Sequence, residues 1–450
     1  MIESIDPYTG KVIATYQEMS KEGVAAAITR GNRQFNTWRK LPVAERCQYF
    51  HKVSVHLKQH KRTFALLMSR EMGKPVKQAE AEVEKCAWLC DHYADHAKAY
   101  LKDKVIETDA SRSYVSYEPL GVILGVMPWN YPFWQVFRFL VPTLISGNTA
   151  LLKHASNVMG CATAIEQIFR DCGFPDSVFQ QLPIKSDLVA YILSHDFVRG
   201  VSLTGSEKAG SAVAEIAGRE IKTSLLELGG SNAFIVLDDA DLDKAVTTAV
   251  QARYQNTGQS CIAAKRILLH EKIADSFITR FLEEVNLLCS GDPKNEESYI
   301  GVMAREDLAK ELEDQLERAI GAGAQVLIGG SRKGAYFEPT VVRTQDPMNP
   351  LMREETFGPL VTVSTFSSLE EAVTLSNHTG FGLGVSLFTA YPERITPVIH
   401  DFKEGAVFIN EMVKSDPRLP FGGIKNSGYG RELGQEGILA FVNKKTVYIQ

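Results

Sequence analysis

Gly121-Val122-Ile123-Leu124-Gly125-Val126-Met127 is the stretch whose reading decides the fold. It is apolar or small throughout, as in a strand buried on both faces of a parallel sheet. It ends in Pro128-Trp129-Asn130-Tyr131-Pro132. A helical pattern to about Ile145 follows, then Gly147-Asn148-Thr149 and a second buried strand, Ala150 to Lys153. The alternation continues with a strand over 198–203, a helix over 206–217, a strand over 233–237 and a helix over 241–254. This is the βαβ rhythm of a doubly wound parallel sheet. Past residue 261 it restarts, with strands over 266–269, 325–328, 360–363, 385–389 and 406–410. Helices over 273–289, 307–322 and 369–376 lie between them. The expected fold is α/β, with two doubly wound Rossmann-like units.

Outward from this core, Asp6-Pro7-Tyr8-Thr9-Gly10-Lys11 reads as a turn between two short strands. Residues 20–73 read as helical with a break at Leu41-Pro42, and 76–99 as a long helix. Residues 105–118 alternate like a hairpin turning at Asp109-Ala110-Ser111. The chain closes with a Gly-rich loop from Pro420 to Gly434 and a strand over 446–450.

The 450 residues are too many for one ordinary core and imply two or three domains. A net charge of -5 leaves no basic footprint, so nucleic acid is not an expected partner. Seven cysteines without framework spacing fit a reduced, cytoplasmic setting. The acidic N-terminus lacks an apolar signal core, and no apolar run reaches membrane-spanning length. Cys86, Cys90, His92 and His96 fall at i, i+4 spacings on one helix, but the pairs lie on different faces. Helix packing rather than a metal site is expected.

Three residues stand out chemically. Cys261 is delivered by Tyr254-Gln255-Asn256-Thr257-Gly258-Gln259-Ser260, with Ala263-Ala264 after it. Small neighbours let ligand and backbone approach the sulfur. A free thiol is about one tenth thiolate at pH 7.5, and a nearby cation or base raises that fraction. The plain alternative is a small buried hydrophobe. Glu227 sits in apolar Leu225-Leu226-Glu227-Leu228 before a Gly pair, where burial raises a carboxyl pKa as a general base requires; an ordinary ion pair is the alternative. Asn130, at the end of the first strand, can donate to a developing oxyanion or simply cap a turn. Thr204-Gly205-Ser206 joins a strand to a helix whose first N–H groups can bind phosphate. Lys153 ends a strand at the ligand-binding edge. There is no GxGxxG fingerprint.

Together these segments resemble the aldehyde dehydrogenase superfamily. The resemblance rests on Pro128-Trp129-Asn130-Tyr131-Pro132, Gly147-Asn148-Thr149, Thr204-Gly205-Ser206, Glu227-Leu228-Gly229-Gly230, Asn256 to Cys261, and Glu355-Thr356-Phe357-Gly358-Pro359. It implies a cofactor domain over 1–102 and 120–228, and an oligomerisation hairpin over 103–119. A catalytic domain over 229–427 follows, then a return segment with a C-terminal strand over 428–450. A homodimer or homotetramer is implied. Cys261 is then the nucleophile, Glu227 the base, and Asn130 with the Cys261 N–H the oxyanion hole. The resemblance places NAD or NADP along Met127, Pro128, Trp129, Lys153 and Ser156. Gly205, Ser206, Leu228, Glu355 and Phe357 complete that site. A thiolate adds to the aldehyde, hydride leaves to the nicotinamide, and Glu227 activates water against the thioester.

Three departures from the family pattern bear on this. Ser156 replaces a carboxylate that would repel a 2′-phosphate, so NADP is tolerated. Phe139 replaces a frequent lysine, which puts a proton relay through that position in doubt. Ser231 replaces another. For the substrate, Arg138 lies on an otherwise apolar helix and matches a carboxylate-binding arginine of succinate-semialdehyde dehydrogenases; the alternative is an internal ion pair. Their second arginine is Gln255 here, and Arg418, in Ser415-Asp416-Pro417-Arg418, is expected to supply the missing charge. Gln255, Ser415 and Phe421 complete the expected substrate site. The leading reading is NAD(P)-dependent oxidation of succinate semialdehyde. A broad-specificity aldehyde dehydrogenase, a CoA-acylating enzyme, a cysteine hydrolase and a non-catalytic scaffold are the alternatives.

Overall fold

The computed structural model of the protein describes residues 1–450. Its first sheet has six strands in the order Gly428–Tyr429, Thr223–Glu227, Val198–Thr204, Val122–Met127, Thr149–His154 and Phe179–Gln181. All pair in parallel except the short Gly428–Tyr429. The unbroken apolar run of Val122–Met127 follows from its central place. Val122 and Leu124 pack with Val24 and Ile28 of the helix Lys21–Trp38 on one face. Ile123 and Met127 pack with Phe137 and Leu140 of the helix Trp134–Ile145 on the other. Gly125 is required by close packing, since a Cβ there would lie 2.5 Å from the Phe139 ring.

The second sheet has seven strands, ordered Gln325–Ile328, Thr340–Arg343, Leu360–Phe366, Ala264–His270, Asn232–Val236, Val385–Phe388 and Val407–Ile409. Only the Gln325–Ile328 edge is antiparallel. Leu228-Gly229-Gly230-Ser231 is the whole connection from the last parallel strand of the first sheet to an interior strand of the second, Asn232–Val236. The doubly wound α/β architecture is thus as expected.

A third sheet of three strands joins Lys104–Val105 and Val442–Ile449 to the two sides of Arg112–Pro119. The terminal strand starts at Val442, four residues before its expected start, because it pairs with Arg112–Pro119 along its full length. Its polar start, Asn443-Lys444-Lys445, is exposed and carries no apolar alternation. The helical stretch 21–72 is three helices, the second break falling at His60, which carries no proline or glycine signal. Strands Phe179–Gln181 and Thr340–Arg343, only three and four residues long, were not expected. No helix is long and apolar enough to cross a membrane.

Candidate active site

The helix Leu242–Tyr254 leads into three successive left-handed residues, Asn256 (φ 57°), Thr257 (φ 54°) and Gly258 (φ 72°). Left-handed backbone costs a non-glycine residue about 1–2 kcal/mol. The surroundings hold it in place. The Asn256 amide donates to the carbonyls of Asn130 (2.8 Å) and Gln259 (3.0 Å), and its N–H donates to Gln78 Oε1 (2.6 Å). Thr257 Oγ1 accepts from Gly301 N–H at 3.0 Å, and Gln259 Oε1 from Ala304 N–H at 2.9 Å. A Cβ at Gly258 would lie 2.3 Å from the Gly358 carbonyl oxygen.

This locked turn presents Cys261 to a cavity of about 240 Å³. Burial pushes the thiol up to about 11; Lys265 and Arg138 pull it back, while Glu355 and Glu227 push it further. At neutral pH the resting sulfur is therefore a thiol, below the one-tenth thiolate of a free cysteine. Lys265 is buried, and its ammonium donates to the carbonyls of Ser260 and Cys261, each at 2.8 Å, and to Glu355 at 2.7 Å. The Cys261 N–H makes no backbone hydrogen bond.

Glu227 ends its strand only 2% exposed, and its Oε1 takes no hydrogen bond. Burial holds its carboxyl well above the usual range; Arg138 opposes this, Glu432 adds to it and Arg431 opposes it. The loop Pro420 to Gly423 closes over it, and a Cβ at Gly422 would lie 2.5 Å from Oε1. Asn130 is buried, and its amide donates to the Gln259 carbonyl at 3.2 Å. One amide hydrogen thus orients the side chain against the cysteine loop and leaves the second available.

Strand order in the first sheet reverses between Val122–Met127 and Val198–Thr204, the place where such sheets bind ligands. Met127, Pro128 and Trp129 leave one of these strands there, and Gly205 and Ser206 the other. Ser206 caps the helix Glu207–Arg219 by accepting from Ala209 N–H at 3.3 Å, and Gly205 N–H donates to the Glu227 carbonyl at 3.0 Å. Leu228 N–H donates to the Ser427 carbonyl at 3.0 Å. Lys153 and Ser156 share the wall of a cleft of about 1360 Å³. Burial lowers the Lys153 pKa with no neighbouring acid to offset it. Glu355 Oε1 accepts from Lys265 and from Gly230 N–H (3.0 Å), while Oε2 faces Gly229, where a Cβ would lie 2.3 Å away. Trp129 and Phe357 meet edge to face, 5.7 Å between centroids. An uncompensated lysine, a helix N-terminus and a carboxylate oxygen over a bare glycine fit a dinucleotide's phosphates and ribose hydroxyls.

Residues 1–447 match the model of the aldehyde dehydrogenase family. The chain belongs to the aldehyde dehydrogenase family. The activity of the family, NAD(P)-dependent oxidation of an aldehyde, is the one its motifs implied. A probable succinate-semialdehyde dehydrogenase (NADP+) of Synechocystis is 48% identical over 451 residues, covering 100% of this chain and 99% of the relative. Succinate semialdehyde dehydrogenase Sad (NAD(P)+) of Escherichia coli is 41% identical, covering 99% of this chain and 97% of its own. The crystal structure of succinic semialdehyde dehydrogenase from Streptococcus pyogenes in complex with NADP+ superposes with a TM-score of 0.97 at 36% identity, covering 100% of both chains.

The substrate side of this family site departs from expectation at two arginines. Gln255, Ser415, Phe421 and Arg138 do border the cavity at Cys261. However, Arg138 is ion-paired to buried Glu432, with its guanidinium stacked 4.8 Å over Phe421. Its charge is already matched inside the protein, which is the internal-pair alternative. Arg418 is not part of the cavity wall. Its guanidinium is 66% exposed and forked onto Asp416 at 2.7 and 2.8 Å, because the tight Asp416-Pro417-Arg418 turn brings the two side chains together.

Sequence reading missed Lys265, Glu432 and the pair Lys74–Glu82. Glu82 Oε1 accepts from the N–H groups of Phe133 and Trp134, both at 2.9 Å, and so caps the helix that carries Arg138. Lys265 left one trace, a lysine beside Arg266 at the start of the strand Ala264–His270. Glu432 left none, since its partner is 294 residues away in the chain, counting from 138 to 432.

Proposed function

We propose that the protein oxidises succinate semialdehyde to succinate with NAD(P)+. The observation that carries this reading is a small cationic cavity opening on Cys261, beside a carboxyl group held above its usual pKa. The names of the relatives agree with it.

Cys261 loses its proton toward Glu227 once that carboxyl is ionised, and the thiolate adds to the aldehyde carbon. The new oxyanion is held by the Asn130 amide and the Cys261 N–H, both aimed before the reaction starts. When bound, NAD(P)+ supplies the hydride acceptor, held by Lys153, Ser156, Gly205, Ser206 and Glu355, with Trp129 and Phe357 beside it. Met127, Pro128 and Leu228 would complete that binding site. Glu227, once it has released the thiol proton to solvent, takes a proton from water as that water attacks the Cys261 thioester. Glu227→Gln should leave a burst of reduced cofactor followed by a slow steady state. Equal loss of both phases would remove Glu227 as the deacylation base.

The Arg138–Glu432 pair favours a second reading, a broad-specificity aldehyde dehydrogenase. A panel of about four aldehydes, with and without a distal carboxylate and with both cofactors, separates the two. Preference for butyraldehyde over succinate semialdehyde would overturn the leading reading. The domain limits given above belong to the same proposal. So does assembly through the sheet of Lys104–Val105, Arg112–Pro119 and Val442–Ile449, which leaves Val105 67% and Tyr448 50% exposed. Light scattering should report a dimer or tetramer, and a monomer for a chain ending before 442.

A further inference from the structure

The cavity at Cys261 contains a cation that its sequence setting does not single out. Lys85 lies on the buried helix Val76–Tyr100, and its ammonium reaches the cavity wall with Gln135, Trp134 and Ser415. It donates to Ser415 Oγ at 2.8 Å and sits 4.3 Å from the centroid of the Trp134 ring. It makes no ion pair, although the carboxylates of Glu82 and Asp416 lie near enough to act on its charge. Glu82 is paired with Lys74 and accepts two N–H groups; Asp416 is forked onto Arg418; Glu432 is paired with Arg138. The other cations of the cavity wall, Arg138 and Lys414, each have a carboxylate counterion, and Lys85 has only a hydroxyl and an aromatic face. A half-buried ammonium without a carboxylate is costly unless a ligand supplies one.

We propose that Lys85, with Ser415, binds the distal carboxylate of the substrate, so that an ω-carboxylated aldehyde is the ligand that completes this cavity. The inference rests on the succinate-semialdehyde reading and assigns its specificity to Lys85 rather than to Arg138 or Arg418. Binding here leaves the aldehyde end free to reach Cys261 across the same cavity. Burial, with Arg138 adding to it, lowers the free ammonium to about 8; Cys86, Glu82 and Asp416 oppose the shift. The site is therefore charged at neutral pH and empties of charge above pH 8. Glu82 and Asp416 are held in ion pairs, Cys86 is pushed well above its usual range by burial, and an arginine keeps its proton throughout. Lys85 is the group that changes charge there.

The test compares kcat/KM for succinate semialdehyde and butyraldehyde in the full chain and in Lys85→Met. The variant keeps the length of the side chain and a good helix former. Succinate semialdehyde should lose roughly 10- to 150-fold while butyraldehyde stays within about threefold. Equal losses, or none, would overturn the assignment to Lys85. In the unmutated protein the ratio of the two kcat/KM values should fall as pH rises from 7 to 9. Titration of Cys261 and Glu227 affects both aldehydes and cancels in that ratio. A ratio flat with pH would overturn the assignment without any variant. A parent enzyme that prefers butyraldehyde rejects the substrate reading itself. A parent that prefers succinate semialdehyde, with a preference surviving in Lys85→Met, rejects only Lys85.

Discussion

Cys261 stands between two walls built on opposite terms. On the side of residues 254–265, the strained and charged groups draw their partners from within: the Asn256 amide from two carbonyls, Lys265 from two carbonyls and Glu355. On the side of helix Val76–Tyr100 and loop 411–421, Lys85 keeps a charge with no acid against it. The first wall has to hold the sulfur and the oxyanion donors still, and internal hydrogen bonds do that before any ligand arrives. The second has to choose a substrate, and choice comes from a polar group that only the right ligand satisfies. Arg138 lies between the two, bordering the cavity like the second wall but matched like the first.

Four variants break or sharpen that contrast. Cys261→Ala should abolish turnover in steady-state assays while cofactor binding by fluorescence quenching persists. Measurable residual turnover would remove the thiol from the chemistry. Arg138→Ala should behave as damage to the matched wall, because it strands buried Glu432. The expected cost is about 3–5 kcal/mol of stability, read as a fall in Tm, with both aldehydes affected alike. A selective loss on succinate semialdehyde at unchanged Tm would return Arg138 to the choosing wall. Asn130→Ala should lower kcat by roughly 10²–10³, since one prealigned oxyanion donor is lost. Less than about threefold would mean that the amide serves only to hold the Gln259 carbonyl. Ser156→Glu should weaken NADP relative to NAD by up to about 1–4 kcal/mol, from like charges at about 4 Å. An unchanged NADP/NAD ratio of kcat/KM would mean that Ser156 does not face the adenosine ribose.

Two sequence departures become physical in the fold. Phe139 occupies a lysine's place as a core residue: its ring packs edge-on to Phe441 and against Gly125, so no charge reaches the site from there. Ser231 serves through its backbone, its carbonyl accepting from Arg266 at 2.9 and 2.6 Å. No role for its hydroxyl follows from the structure.

The amino-acid sequence by itself determined the parallel sheets, because a strand buried on both faces must be apolar without a break, as Val122–Met127 is. It also marked Cys261, Glu227 and Asn130, since each is a reactive or polar group set where a strand or helix ends. These signals are local, written in residues that adjoin one another. Charge matching is not local. Arg138 finds Glu432 and Lys265 finds Glu355 only once the chain is folded, across segments far apart in sequence, whereas Arg418 meets Asp416 within one tight turn. Which cation is left for the substrate is what remains after that pairing. The tertiary structure alone therefore decided that Arg138 is neutralised and that Lys85 is not.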